Sequence, residues 1–182
     1  MKINSLLAII FLTIFSNYAQ DKIILRFPFG FKSNMTIKEV KLLADNKYKF
    51  STVDTVEGYA DIAYLEIVPY EDKYFGSCKI DNILLTFFKD KLVKLSIYGE
   101  YAESNCFPIV LKNFVSNTYK AELVYNKGGE VAFRNNNIEI YLTFSSCIIY
   151  TDLNIENKMK EYELNIDKQK RELNEKKSKK NL

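Results

Sequence analysis

Residues 79–98 read KIDNILLTFFKDKLVKLSIY, and this stretch decides the fold class. Lys79 to Phe88 and Leu92 to Tyr98 are rich in leucine, β-branched and aromatic residues, and they flank the short polar stretch Lys89-Asp90-Lys91. That is the pattern of an antiparallel hairpin. Apolar and polar residues alternate only partly after the turn, so both faces of the hairpin are expected to carry some cover. The same grammar recurs downstream. Tyr119–Tyr125 is extended, Asn126–Gly129 is a turn, and Val131–Arg134 pairs through Asn135–Asn137 with Ile138–Phe144. Cys147–Thr151 is the last strand. Upstream, Lys47–Val53 and Tyr59–Val68 are strands, the second stopped by Pro69. Lys22–Phe29 is a short apolar entry segment, placed at a sheet edge because Pro28 has no N–H to donate.

Each group of strands is preceded by a helix signal. Thr36-Ile37-Lys38-Glu39 is a capping box, in which the Thr hydroxyl accepts the N3 amide and Glu39 reaches back to the N-cap amide. Ile37, Val40 and Ala44, beside Leu43, form one apolar face, and the helix ends near Asp45-Asn46. Pro108 suits the first position of a second helix, with Ile109, Val110, Leu111, Phe114 and Val115 as its apolar side and Asn117 near its end. Asp152 caps a third helix, over about residues 153–177, where Ile155, Met159, Tyr162, Ile166 and Leu173 follow heptad spacing. This stripe predicts either a helix lying on the domain or one projecting from it, and a monomer is expected over a short coiled-coil dimer. Lys176, Lys177, Lys179 and Lys180 make a basic tail. Segregated helices and antiparallel strands indicate an α+β fold: an antiparallel sheet with helices packed on one side, two similar helix-plus-strands units (36–98 and 108–151), and a long C-terminal helix.

The N-terminus gives a compartment. Lys2 precedes the apolar block Leu6–Phe15, and Ala19 offers a small residue at a cut site, the layout of a secretory signal peptide. The block is too short for a membrane span, which needs roughly 17–25 residues, so no integral span is expected. The division is therefore 1–19 signal peptide, 20–152 a single α+β domain, and 153–182 a C-terminal amphipathic helix and basic tail. The protein is expected in the periplasm or secreted.

Composition excludes more than it identifies. The chain has no His and no Trp, with 13 Tyr and 13 Phe. Without His, the commonest general base and metal ligand is missing. No phosphate-binding glycine loop, Gly-x-Ser-x-Gly elbow, zinc-protease helix or calcium loop is present. The carboxylates Asp54, Glu57, Asp61 and Glu66 form no paired acid/base site, because Asp61 and Glu66 fall on opposite faces of one strand. No catalytic residue, metal or cofactor is expected. A net charge of +3, lowered by one when Lys2 leaves, argues against nucleic-acid binding. Cys78, Cys106 and Cys147 have no zinc spacing. Export favours one bridge, and a hairpin turning near Asp90 brings residue 78 close to Cys106, so the expected disulfide is Cys78–Cys106. Cys147 is read as a buried small hydrophobe. Candidate binding residues are the aromatics around the central sheet: Tyr59, Tyr64, Tyr70, Tyr74, Tyr98 and Tyr101. They either stand on an open sheet face as anchors or fill the core.

Phe29-Gly30-Phe31, Met35-Thr36-Ile37-Lys38-Glu39-Val40 and Leu85-Thr86-Phe87-Phe88-Lys89-Asp90-Lys91-Leu92 resemble exported bacterial domains of the beta-lactamase-inhibitor-protein-like kind. In layout they are also similar to small outer-membrane-assembly lipoproteins. The resemblance covers residues 29–98, with a second unit over 107–151, and departs from the lipoproteins in lacking a lipidated Cys. It implies protein binding through a sheet face and no catalysis. The expectation is thus an exported, non-catalytic protein-binding domain (inhibitor, immunity-type or envelope accessory) with an unidentified protein partner. The alternative is a periplasmic lipid- or glycan-binding module.

Overall fold

The computed structural model describes residues 23–99, 108–145 and 147–180. Its first half comprises β1 (Ile23–Ile24), α1 (Ile37–Ala44), β2 (Tyr48–Val56), β3 (Tyr59–Pro69), β4 (Tyr74–Phe75), β5 (Cys78–Phe88) and β6 (Lys91–Gly99). The second comprises α2 (Pro108–Thr118), β7 (Tyr119–Lys120), β8 (Glu122–Lys127), β9 (Glu130–Asn135), β10 (Ile138–Leu142) and β11 (Cys147–Asp152), followed by α3 (Leu153–Lys180). One nine-stranded sheet runs in the order β2-β3-β5-β6-β11-β10-β9-β8, with β4 paired to β5 outside that path. All of its pairings are antiparallel. The doubling is explicit in this order. Each half is a helix followed by a meander, and the last strands of the halves, β6 and β11, join them at the centre through Ser96↔Ile149 and Leu95↔Tyr150.

The β5–β6 hairpin fastens the first unit. Lys89 and Asp90 both take positive φ, 50° and 59°, as a tight two-residue hairpin turn requires. Neither is glycine, and the backbone cost is offset by specific bonds: the Lys89 amide donates to Asp61 O at 2.8 Å, and Asp90 Oδ1 accepts from the Ile37 amide at 3.0 Å. The turn thereby caps α1. The capping box is complete, with the Glu39 amide donating to Thr36 Oγ1 at 3.2 Å and the Thr36 amide to Glu39 Oε2 at 2.7 Å.

The main core lies between one sheet face and α1, α2 and the irregular stretch after β1. Val40, Ala44, Leu65, Ile83, Leu85, Leu95, Ile97 and Ile148 are each at most 0 % exposed. Two expectations are corrected, and an open alternative is resolved. Only Ile23–Ile24 of the entry segment is a strand, and it pairs parallel with β7 outside the main sheet; Leu25, Phe27 and Phe31 instead plug the core. On α2, Leu111, Val115 and Pro108 are buried while Ile109 and Val110 face solvent, because the i, i+4 pair 111/115 sets the face. Finally, α3 does both things its stripe allowed. Asp152 caps it, accepting from the Asn154 and Ile155 amides at 3.0 and 3.2 Å. Met159, with Ile155 and Tyr162, covers Ile62, Phe88 and Val93 on the sheet face opposite the main core. Its later turns are exposed, Leu173 among them. At 28 residues, the helix is about 42 Å long. No described helix is long and apolar enough to cross a membrane.

Candidate functional site

Strand register puts alternate residues on opposite faces, and among the described residues α3 covers one end of the face opposite α1 and α2. The remainder of that face is a band running across the sheet from β3 to β8. Cross-strand partners define it: Glu66↔Leu84, Leu84↔Ser96 and Ser96↔Ile149 in the first half, then Ile149↔Tyr141, Tyr141↔Ala132 and Ala132↔Tyr125 in the second. Glu66 is the one charged residue of that row. The neighbouring row toward the end of β6 holds Asn82, Tyr98 and Cys147, joined by Asn82↔Tyr98 and Tyr98↔Cys147. The row toward α3 is polar: Asp54, Tyr64, Thr86, Lys94, Thr151, Glu139 and Arg134.

Electrostatics make the rim charged and the centre neutral. Lys94 Nζ lies 3.1 Å from Glu156 of α3, and Arg134 holds Glu139 at 2.6 Å. The Tyr141 hydroxyl donates to Glu130, whose carboxylate pushes that phenol up to about 12. Burial pushes the Cys147 thiol up to about 11, offset in part by a hydrogen bond from Tyr98. It is therefore a neutral thiol at physiological pH, without the lowered pKa that a nucleophile needs. Asn82 Nδ2 donates to Glu66 Oε1 at 2.5 Å. Its buried Oδ1 has no hydrogen-bond partner among the described residues. Among the described residues no group of His, Cys, Asp or Glu could hold a metal ion.

The aromatics singled out from the sequence separate. Tyr64 and Tyr98 stand on the open face. Tyr59 does not, because α3 covers it: its hydroxyl donates to Asp167 at 2.6 Å, and Lys170 Nζ sits 4.2 Å from its ring centroid. Tyr70 projects from the loop after β3, 65 % exposed. Tyr74 lies on β4 and lines a groove on the helix-bearing side. Tyr101 and Cys106 lie outside the described residues, as do residues 1–19. Cys78 is fully buried at the start of β5, and Cys147 is the free cysteine among the described residues. Sequence reasoning missed Tyr125 and Tyr141, whose rings lie 6.1 Å apart, together with Leu84 and Ile149. The signal was there in parity. Within Ile138–Leu142 the odd positions Glu139 and Tyr141 oppose Ile138, Ile140 and Leu142.

Comparison with protein-family models, curated proteins and solved structures finds no match to this chain.

Proposed function

We propose that this protein is an exported, non-catalytic protein-binding domain, of the beta-lactamase-inhibitor-like kind, that docks a partner on the open face of its sheet. One observation carries the reading: a near-neutral band of Leu84, Ile149, Tyr141 and Tyr125 crosses the sheet with no described helix over it, while α1 and α2 pack on the opposite face. Protein interfaces have this composition, with aromatic and aliphatic anchors in a charge-poor centre and charged residues at the rim. The rigid sheet holds Tyr64, Tyr98, Tyr125 and Tyr141 at little further entropic cost. The signal-peptide layout of residues 1–19 supports export to the periplasm or beyond. Burial of Cys78 and the free state of Cys147 support the Cys78–Cys106 bridge.

The test is capture from the native envelope and medium by the mature protein, repeated with Tyr64→Ala/Tyr125→Ala and with Leu42→Ala. Leu42 is 69 % exposed on α1, away from the open face. A stoichiometric protein kept by Leu42→Ala and lost by the double variant is the expected result. Equal retention by both variants refutes docking on this face.

A further inference from the structure

The helix-bearing side of the sheet holds a second feature, independent of the open face. Between the stretch Leu25–Ser33, β4 and α2 lies a groove of about 580 Å³, within the roughly 300–1,000 Å³ of small-ligand sites. Its walls are aromatic: Phe27, Phe29, Tyr74, Phe75, Phe114 and Tyr119. Phe75 and Phe114 meet edge to face at 5.1 Å and 77°. Gly76, at φ +59°, lets the Phe114 ring lie where a Cβ would approach it to 3.1 Å. Phe29 itself sits at φ +59°. The other non-glycine residues in that region are Asn, Asp and Lys; Phe29 also lies in a turn, closed by the Phe31 amide donating to Pro28 O at 3.1 Å, and a bulky aromatic at such a position is strained. Such strain is held where the surrounding structure needs the side chain in place, and it clusters at ligand sites. The charge is one-sided. Arg26 and Lys32 are the charged residues among the described lining, and no carboxylate joins them.

We propose that this groove binds a single-chain fatty acid, its alkyl chain along the aromatic walls and its carboxylate between Arg26 and Lys32. Apolar walls supply the affinity through buried area, and the cations select an anionic head over a neutral or cationic one. This gives the ligand-binding alternative a site and a ligand class. It does not depend on the open face, and its failure would leave the docking proposal standing.

The test is isothermal titration of the mature protein with dodecanoate below its micellar concentration, with dodecanol and dodecyltrimethylammonium as probes of the head group. The expected result is one-to-one binding in which dodecanoate is held more tightly than either control. Arg26 and Lys32 are both exposed, so Arg26→Glu/Lys32→Glu leaves the fold intact. It is expected to weaken dodecanoate about tenfold while leaving dodecanol unchanged. Tyr74→Asp, at a side chain 52 % exposed, is expected to weaken both. No binding of dodecanoate overturns the proposal. So does equal binding of the anionic and cationic probes, or charge-reversed protein that binds dodecanoate as wild type does.

Discussion

Met159→Ala tests whether α3 is seated on the sheet, which is what sets the limit of the open face. Met159 is 7 % exposed and packs with Ile62, Phe88 and Val93, exposed by 2, 6 and 0 %. Truncating a buried Met costs roughly 2–5 kcal/mol, the spread depending on how far the site can collapse. This cluster is small, and its outer wall is one helix flanked by the half-buried Ile155 and Tyr162, so it can close on the cavity. The low end applies, about 2 kcal/mol. For a domain of this size that is a fall in Tm of about 4–8 °C, or about 1 M in the urea midpoint at an m-value of about 2 kcal/mol/M. The assay is urea unfolding followed by circular dichroism, with Leu173→Ala as the control. Leu173 lies on the same heptad stripe but is 54 % exposed, so its truncation is expected to stay within about 0.5 kcal/mol. Equal shifts for the two variants, or no shift for Met159→Ala, would refute the seating of α3 and with it the boundary of the proposed docking face.

Other expectations follow from particular groups. Thr36→Ala should cost about 1 kcal/mol in the same assay through loss of the N-cap. The Thr36 amide and hydroxyl hold the Glu39 carboxyl below its ordinary value, so its contribution is present above the unfolded pKa and lost as pH falls through the lowered folded value. The variant removes the hydroxyl and keeps the amide, the larger of the two causes, so it should flatten that acid limb only in part. Cys147 has the opposite sign. Its raised pKa of about 11 means stability is full below the unfolded thiol pKa and declines as pH rises toward the folded value, and Cys147→Ala should lessen the decline between those two values. Tyr150 is fully buried, and among the described residues its hydroxyl makes no well-formed hydrogen bond, having only a weak interaction with the Tyr119 phenol. Tyr150→Phe should therefore be neutral or stabilising in thermal unfolding, since it removes a desolvated hydroxyl with no well-formed bond to lose. Alkylation of the denatured mature protein should add one group before reduction and three after it, as a single bridge among the three cysteines requires; three groups before reduction would refute the Cys78–Cys106 pairing.

Local chemistry was legible in the sequence because it depends on neighbours in the chain. The Thr36–Glu39 box, the Lys89-Asp90 turn, Pro108 and the Asp152 cap all act within four residues, and each marks an element where the structure has it. The alternating strands and their segregation from the helices sufficed for the α+β class and for the doubled unit. Surface assignment was not legible in the same way. Tyr59 and Tyr64 are five residues apart on one strand, so the strand period alone assigns them opposite faces, yet both lie on the α3 side, Tyr59 under Asp167 and Lys170 and Tyr64 in the open. What separates them is a helix about a hundred residues later in the chain. Likewise, no local pattern says that β6 pairs with β11. Only that pairing brings Leu84 of the first unit into line with Ile149, Tyr141 and Tyr125 of the second. The sequence by itself determined where elements begin, turn and end, because capping and side-chain period are short-range. Which face the described helices cover was decided by the tertiary structure, because burial depends on contacts distant in the chain.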